Sequence, residues 1–505
     1  MFFSRYILRL MLAFYCLCFI SLPSFAEENT PDFVPGELII GFKSEKARQD
    51  ALQELQTKEE SGGFTTRGGG SKSITAKPIG NKEIKLKLNI LTTRGIKPQK
   101  QEELTILKEM SEDIRKSDST VEYAHPNWIF KSYRSVIREP VLLKNQLGPA
   151  NATQRNLTSG PNDPIFQRGL HWDYLAPPKG MNAIGAWSIS KGGKQIVVAV
   201  LDTGMLFKHP DIEKSGNVLE GYDFISNETT AGDGDGRDAD ATDAGNACSP
   251  YPSSWHGTHV AATIGGAATN NGLGIAGVNW EVSVVPVRVL GRCGGSIADI
   301  SDAIRWAAGL TVADVPDNKN PADIINMSLG GVLDCRPENV GNLINAINDA
   351  RQAGVTVVVA AGNDALDVKK VTPGGCAGVI SVAASDQRGY LAPYSNFGAV
   401  TIMAPGGNLK RDDDKDGEAD GIWSLVAPTE KNPMGVAAYE GTSMAAPHVS
   451  AAIALAISHD EKLRKNPNVI EEMMVKAAVK PVAGACPEQK NCGKGSLDAV
   501  KLLSR

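Results

Sequence analysis

Between residues 196 and 404 the sequence alternates apolar runs with amphipathic stretches, and this alternation restricts the fold more than any other feature. The apolar runs lack the period-two polarity of a strand with one wet face. They cover residues 196–201, 282–290, 324–327, 355–360, 379–384 and 400–404. Helical spacing occurs between them, as in Ile297, Ile300, Ile304, Ala307 and Ala308. The pattern predicts an α/β fold, a parallel β-sheet flanked by helices on both faces.

A smaller unit precedes this region. Residues 35–131 predict a small α+β domain with the order strand, helix, strand, helix, strand. Its elements are predicted at residues 37–42, 47–59, 84–91, 102–115 and 121–123, with a glycine-rich loop at 61–73. Residues 132–160 are polar and aperiodic, so we expect a linker there.

The amino terminus has the composition of a signal peptide. Arg5 and Arg9 lead into an apolar run over residues 10–20, and Ser24 to Ala26 form a small-residue exit. The run is much shorter than the roughly 20 residues of a membrane span. We therefore expect residues 1–26 to be removed and the protein to be secreted, extracellular or periplasmic, with no membrane association afterwards.

The charge and cysteine content argue against two further classes of protein, nucleic-acid-binding proteins and proteins with a zinc or redox cysteine site. The 57 acidic and 52 basic residues form no basic block, which argues against a nucleic-acid partner. Of eight cysteines, six lie outside the signal segment and none forms a Cys-x-x-Cys pair, which favours disulfides over a zinc or redox site. Proximity in the sequence predicts the pairs Cys486 with Cys492, Cys248 with Cys293, and Cys335 with Cys376.

Four motifs lie at predicted strand ends or helix starts. They are Asp202-Thr203-Gly204, the segment 256–260 (His-Gly-Thr-His-Val), the segment 360–363 (Ala-Ala-Gly-Asn) and the segment 441–448 (Gly-Thr-Ser-Met-Ala-Ala-Pro-His). Singly, each has an ordinary explanation as a turn or helix cap. Together they supply a nucleophile, a base, an acid that orients the base, and an amide donor for an oxyanion, which are the four roles of acyl transfer.

Three other classes of hydrolase can be excluded, the first of them by the order of the residues along the chain, Asp before His before Ser. An α/β-hydrolase needs the serine before the acid and the histidine, and only residues 444–505 follow Ser443. An aspartic protease needs two catalytic carboxylates, and Asp-Thr-Gly occurs once. A zincin needs His-Glu-x-x-His, whereas His256 and His259 are three residues apart with no glutamate between them.

These motifs, with His209-Pro210-Asp211 and the segment 328–331 (Ser-Leu-Gly-Gly), resemble the signature blocks of subtilisin-like serine peptidases over residues 161–505. The resemblance implies a polypeptide substrate. It also implies Ser443 as nucleophile, His256 as general base, Asp202 as its orienting acid and Asn363 as oxyanion donor, with His259 and His448 structural. Substrate would bind along Ser328, Leu329 and Gly330, and its side chain would enter a pocket beside Ala360, Ala361 and Gly362.

The domain before the linker resembles the inhibitory propeptide of the same family. The segment that carries this resemblance is its last one, Tyr123-Ala124-His125-Pro126-Asn127. The resemblance implies domain bounds of 27–131 for the propeptide and 161–505 for the peptidase. It further implies that the precursor cuts itself between about Lys131 and Gly160 and that the released propeptide stays bound as an inhibitor.

The resemblance also implies structural calcium, at a site formed by Asp163, Asp211, Asn271, Leu273 and Ile275 after cleavage. A second calcium loop is suggested by the Asp-x-Asp-x-Asp-Gly spacing of Asp412, Asp414, Asp416 and Asp420, although Trp423 stands where a bidentate glutamate is usual. A third acidic stretch has ligand chemistry without a known spacing: Asp233, Asp235, Asp238, Asp240 and Asp243.

One alternative from another class stays open, a secreted binding or adhesion protein on an inactive protease scaffold. Loss of any member of the set Asp202, His256, Asn363 and Ser443 would favour it. All four are present.

Overall fold

We describe the protein from a computed structural model, which covers residues 31–60, 64–65, 71–72, 74–90, 97–133, 160–488 and 490–504. The predicted signal peptide, the glycine-rich loop apart from four of its residues, and residues 134–159 of the predicted linker lie outside these ranges.

The N-terminal domain is an antiparallel sheet with two helices. Its elements are β1 (Asp32–Phe42), α1 (Glu45–Glu60), β2 (Phe64–Thr65), β3 (Ser71–Lys72), β4 (Ile74–Ile79), β5 (Glu83–Leu88), α2 (Lys100–Ser117) and β6 (Val121–Ser132). Strand β1 pairs with β5 on one side and β6 on the other. The predicted α+β elements are thus present, and β2, β3 and β4 are additions, the first two within the predicted glycine-rich loop.

Strand β6 differs most from the prediction. It continues nine residues beyond the predicted end at Tyr123, so Ser132, assigned to the linker from the sequence, belongs to this strand. Proline and polar residues at 125–127 disfavoured a strand there. The tertiary structure overrides this preference, since Asn127 lies buried and its Nδ2 donates to Glu37 Oε2 at 2.7 Å.

The larger C-terminal domain alternates strands and helices. Its strands are β7 (Gly192–Asp202), β8 (Tyr222–Asp223), β9 (Glu281–Arg288), β10 (Gly295–Ser296), β11 (Ile324–Met327), β12 (Leu329–Val332), β13 (Thr356–Ala360), β14 (Val371–Thr372), β15 (Ile380–Ser385), β16 (Ile402–Pro405), β17 (Ile422–Leu425) and β18 (Val436–Tyr439). Its α-helices are α3 (Pro164–Gln167), α4 (Ala183–Ala186), α5 (Pro210–Glu213), α6 (Glu228–Ala231), α7 (His256–Ala261), α8 (Ile297–Ala307), α9 (Pro337–Gln352), α10 (Thr442–His459), α11 (Pro467–Ala477) and α12 (Ala499–Leu503).

A parallel seven-stranded sheet lies at the centre of this domain, in the order β16-β15-β13-β11-β7-β9-β8. Alternate residues of β7 face opposite layers: Val198 and Val200 join the core that includes α10, whereas Val197, Ala199 and Leu201 join the core that includes α8 and α9. Burial on both faces explains the continuous apolar runs. The predicted fold class is confirmed.

The N-terminal domain packs on α8 and α9. Its apolar residues belong to the same hydrophobic core as those two helices, and a buried polar network crosses the contact. In this network the Arg305 guanidinium lies 3.1 Å from Glu83 Oε1 and 2.8 Å from Asp349 Oδ2, while Tyr123 Oη donates to Glu83 Oε1 at 2.9 Å. The contact therefore buries both apolar surface and paired charge.

Three disulfides join the predicted pairs, Cys248–Cys293, Cys335–Cys376 and Cys486–Cys492, so the proximity argument is confirmed. None of the described helices is long and apolar enough to cross a membrane.

Candidate active site

The site forms where strands of the parallel sheet end. Strands β7, β11 and β13 are neighbours that run in the same direction, so their carboxyl ends meet at one edge. Asp202 is the last residue of β7, Ser328 follows β11, and Asn363 follows β13. Helix α10 begins at Thr442 and brings Ser443 to this edge.

Asp202 and His256 form a buried pair. Nδ1 of His256 lies 2.8 Å from Oδ1 and 2.9 Å from Oδ2 of Asp202, and His256 and Asp202 are 1% and 0% exposed. Nε2 of His256 is buried and has no hydrogen-bond partner within the described part of the chain. The carboxylate thus fixes the ring and leaves Nε2 for another group.

Ser443 lies buried at the start of α10, where helix N–H groups lack intrahelical partners. Its Oγ donates to the carbonyl of Ser328 at 3.1 Å rather than to His256. The hydrogen bond from Ser443 Oγ to His256 Nε2 is thus not formed among the described residues, as is common for catalytic hydrogen bonds before a substrate binds.

The amide of Asn363 is held in one orientation. Its Oδ1 accepts from the backbone N–H and from the hydroxyl of Thr442, both at 2.9 Å. Its Nδ2 therefore points the other way and lies 3.4 Å from the carbonyl oxygen of Tyr133. Sequence reasoning missed Thr442, because a threonine before the serine carries no signal until its partner is known.

The chain's own strand β6 occupies a groove at this edge. Phe130 and Ile129 pair antiparallel with Gly295 and Ser296 of β10, and Ser132 and Lys131 pair antiparallel with Leu329 and Gly330 of β12. The predicted binding edge of Ser328, Leu329 and Gly330 thus contacts a peptide backbone. The second edge, β10, was not predicted, since two residues are too few for a strand pattern.

Tyr133 fills a pocket beyond this strand. The side chain is 6% exposed, and its hydroxyl donates to the carbonyl of Thr372 at 3.2 Å. A Cβ on Gly330 would lie 2.0 Å from the Tyr133 hydroxyl, and one on Gly362 would lie 3.2 Å from the ring. The predicted pocket between the 328–330 and 360–362 segments therefore has room for an aromatic side chain because Gly330 has no Cβ, and the ring also lies close to Gly362.

The other two motif histidines face the interior. The His259 ring stacks on Tyr439 at 4.4 Å, and its Nε2 lies 3.1 Å from the carbonyl of Ile422. Burial lowers the pKa of His259 to about 3, so this ring is neutral. His448 lies with Nε2 2.9 Å from Asp173 Oδ2. Both positions agree with the structural roles expected for them.

The residues predicted for the first calcium site lie together. Asp163 and Asp211 are 0% and 1% exposed; Asp163 Oδ2 accepts from Asn270 N at 2.8 Å, and Asp211 Oδ1 accepts from Asn271 Nδ2 at 2.8 Å. Burial, with a contribution from Asp163, raises the pKa of Asp211 to about 7. Two adjacent buried carboxylates beside the 270–275 loop have the oxygen chemistry that a divalent cation takes.

Cleavage is not needed to bring these residues together. The sequence-based expectation was that they meet only after the precursor is cut, but Asp163 contacts Asn270 and Asn271 in the uncleaved chain.

In the second acidic loop, the structure brings together three of the four predicted carboxylates, without Asp416. Carboxylate oxygens of Asp412, Asp414 and Asp420 lie within 4.8 Å of one another, and Asp416 Oδ1 accepts from Glu418 N at 2.8 Å. Burial raises the pKa of Asp420 to about 7. Gln387 lies buried beside the loop, with Nε2 2.9 Å from Asp414 Oδ2 and Oε1 without a partner in the described residues. This donor set also fits calcium.

The third acidic stretch is bound by protein groups. Asp233 pairs with the buried Arg288, and Asp238 and Asp240 accept backbone N–H groups two residues further on. Asp243 is buried against Thr203, next to the candidate site, a position that its place in an acidic run did not indicate.

A parallel α/β sheet with an aspartate, a histidine, a serine and an oriented amide at its carboxyl edge defines the class of serine hydrolases with an Asp-His-Ser order. Residues 193–498 match the model of the subtilase family of peptidases, and the chain belongs to that family. It is 43% identical over 353 residues to an extracellular protease of Xanthomonas campestris pv. campestris, covering 68% of this chain and 56% of that protein. It is 31% identical over 428 residues to a thermophilic serine proteinase of Bacillus sp. (strain AK1), covering 84% and 79%.

Among solved structures, proteases from Pseudoalteromonas arctica superpose with a TM-score of 0.61 at 42% identity, covering 68% of this chain and 99% of the other. The chain thus spans a little over half the length of the Xanthomonas relative and nearly all of the solved protease.

Proposed function

We propose that this protein is a secreted serine endopeptidase made as a self-processing zymogen. One observation carries the proposal: a segment of the chain lies in the groove as a substrate would, with the Tyr133 carbonyl oxygen 3.4 Å from Asn363 Nδ2. Antiparallel pairing of its backbone on both sides makes binding largely independent of sequence. Family membership and the names of the relatives support the same interpretation.

In the proposed reaction Ser443 Oγ attacks the carbonyl carbon while His256 Nε2 takes the hydroxyl proton. Asp202 stabilises the imidazolium through Nδ1. Asn363 Nδ2 and the backbone N–H of Ser443 donate to the oxyanion. His256 then gives its proton to the leaving amine, and water hydrolyses the acyl-enzyme by the same steps in reverse roles.

The direct test is to incubate the purified protein with casein and with a serine-directed covalent inhibitor. Hydrolysis of casein, and a single inhibitor adduct mapped to Ser443, are expected. A folded wild-type protein that neither cuts casein nor takes the label would favour the alternative of a binding protein on an inactive scaffold.

The position of Tyr133 also defines the bond for self-processing. Its carbonyl is at the proposed oxyanion site, so the bond between Tyr133 and Arg134 is the one presented to Ser443. This lies at the start of the 131–160 interval expected from the sequence. After cleavage the 129–133 strand keeps its pairing and its pocket contacts, which supports a role for the N-terminal domain as a bound product inhibitor.

We predict that the first cleavage leaves Arg134 as the new amino terminus, measured by intact mass and amino-terminal sequencing early in maturation. Tyr133→Asp should slow this cut at least tenfold, because it places a carboxylate in a buried pocket near Asp364; burial and the charge of Asp364 already raise the pKa of Tyr133 there. Tyr133→Phe keeps the ring and should be cut at a rate close to wild type. Equal rates for the aspartate and phenylalanine variants would contradict this assignment.

We further propose calcium as a structural ion, with Asp163, Asp211, Asn271 and the carbonyls of Leu273 and Ile275 as its first site. The loop of Asp412, Asp414, Asp416 and Asp420 is the second. The ion would supply the positive charge that each group of carboxylates lacks.

Chelation should therefore lower the melting temperature, and calcium should restore it. At one hundred times its Kd a bound ion adds about 2.7 kcal/mol, a shift of several degrees for a domain of this size. Scanning calorimetry of the mature protein, with Asp211→Asn and Asp414→Asn as separate variants, assigns the effect to each site. An unchanged melting temperature in chelator would contradict both sites.

A further inference from the structure

Helix α7 begins without a cap of its own, although it carries His256 as its first residue. The residue before it, Trp255, has a left-handed φ of 51° and its side chain caps no N–H group. The buried N–H of Gly257 instead donates to Thr203 Oγ1 at 2.9 Å. The orientation of the first turn, and with it His256, thus depends on a hydroxyl from another segment.

The Thr203 hydroxyl accepts a hydrogen bond from Gly257 N, so its own proton must point towards a different acceptor. It donates to Asp243 Oδ2 at 2.6 Å, and the other oxygen of this carboxylate accepts from Gly245 N at 2.8 Å. Asp243 is 3% exposed, and burial raises its pKa to about 6. At pH 8 the carboxylate is ionised and can only accept, so it fixes which way the hydroxyl points.

Thr203 also contacts Asp202, the other member of the Asp202–His256 pair. Its backbone N–H donates to Asp202 Oδ1 at 2.8 Å, the oxygen that lies 2.8 Å from His256 Nδ1. The close approach requires glycine at 257, because a Cβ there would lie 2.4 Å from the Gly204 carbonyl oxygen and 3.0 Å from Thr203 N. One residue therefore touches the acid through its amide and the helix of the base through its hydroxyl.

We propose that Asp243 is a positioning residue, which acts through the Thr203 hydroxyl to keep Asp202 and His256 aligned for proton transfer. The inference rests on the proposed peptidase function. It assigns a role to a carboxylate that touches neither substrate nor the reacting atoms, and that sequence analysis had grouped with candidate calcium ligands.

Thr203→Val tests this most directly, since valine keeps the shape of threonine and removes both hydroxyl bonds. We expect kcat per titrated active site at pH 8 to fall about 10- to 100-fold with KM within about twofold, the pattern of a misaligned site that still binds substrate. Thr203→Ser should recover kcat to within about threefold. Asp243→Asn should resemble Thr203→Val, and the double variant should be little worse than either, because both remove the same contact.

The matched control is Thr242→Val. Thr242 Oγ1 donates to Asp240 Oδ1 at 2.5 Å in the same segment, but this pair is exposed and touches no site residue. Its kcat should equal that of wild type. Wild-type kcat in Thr203→Val, or failure of Thr203→Ser to recover, would overturn the proposal.

A measurement that needs no turnover separates this inference from the proposed function. The Asp202–His256 hydrogen bond should give a low-field proton resonance, assigned by its loss in His256→Ala. Thr203→Val and Asp243→Asn should shift or broaden it, while Thr203→Ser and Thr242→Val leave it in place. If wild type shows the resonance but cuts no peptide, the proposed peptidase function is wrong. The positioning role is then still tested by whether Thr203→Val and Asp243→Asn change the resonance while Thr203→Ser and Thr242→Val do not.

Discussion

Replacing Ser443 by alanine should abolish hydrolysis of casein and self-processing together. Without a nucleophile only the oxyanion donors and substrate binding remain, and kcat should fall by roughly 10⁶, the loss that subtilisin, a member of the same family, shows for its own serine. Ser443 Oγ makes one hydrogen bond, to the Ser328 carbonyl, so the variant should lose only about 1 kcal/mol of folding free energy. The precursor should stay joined between Tyr133 and Arg134.

Ser450→Ala is the control for this variant. Ser450 lies on the same helix, equally buried, and its Oγ donates to Asn326 Oδ1 at 2.8 Å rather than to any of the four predicted catalytic residues. It should keep its activity and process normally. Circular dichroism checks that both variants fold. Finding the Ser443→Ala precursor cut between Tyr133 and Arg134 in a host without other proteases would exclude self-processing.

The central sheet could be predicted from the sequence because its strands are buried on both faces. Strand β11, for example, was expected at 324–327 and occupies those residues, since a continuous apolar run between turns has few other solutions. Strand β6 was underpredicted, because His125, Pro126 and Asn127 have poor strand propensity. Asn127 is tolerated there because the strand lies between two domains that both bind its side chain: Nδ2 donates to Glu37 Oε2, and Oδ1 accepts from Ala298 N.

Some residues of the candidate site could likewise be predicted from the sequence, and others could not. Asp202, His256, Asn363 and Ser443 could be found because each lies in a short motif at a strand or helix end. Thr442, Thr203 and Asp243 could not, since their contribution is a hydrogen bond to a residue distant in sequence. The residue that fills the pocket, Tyr133, lay in a segment with no periodic signal at all, and only the pairing of β6 brings it to the site.

Asn363→Ala should lower kcat by about 10²–10³ with a smaller change in KM, the cost of one oxyanion donor in subtilisin. The reason is that Nδ2 approaches the carbonyl oxygen, which gains negative charge only as the transition state forms. The substitution also removes the acceptor of two Thr442 hydrogen bonds, so a fall in stability must be separated from the fall in rate. Active-site titration with a covalent serine inhibitor corrects for unfolded protein.

Thr442 provides the finer test of the same amide. Thr442→Val removes the hydroxyl that donates to Asn363 Oδ1 and accepts from Gly362 N, but it leaves the bond from the Thr442 backbone N–H to Asn363. Since one of the two bonds that orient the amide remains, kcat should fall only about tenfold. Thr442→Ser keeps the hydroxyl and should stay close to wild type. If Asn363 acts only as a structural residue, Asn363→Ala and Thr442→Val will lower the melting temperature while kcat per titrated site stays unchanged. A loss of kcat that is largest in Asn363→Ala, smaller in Thr442→Val and near zero in Thr442→Ser therefore requires that the oriented amide stabilises the oxyanion.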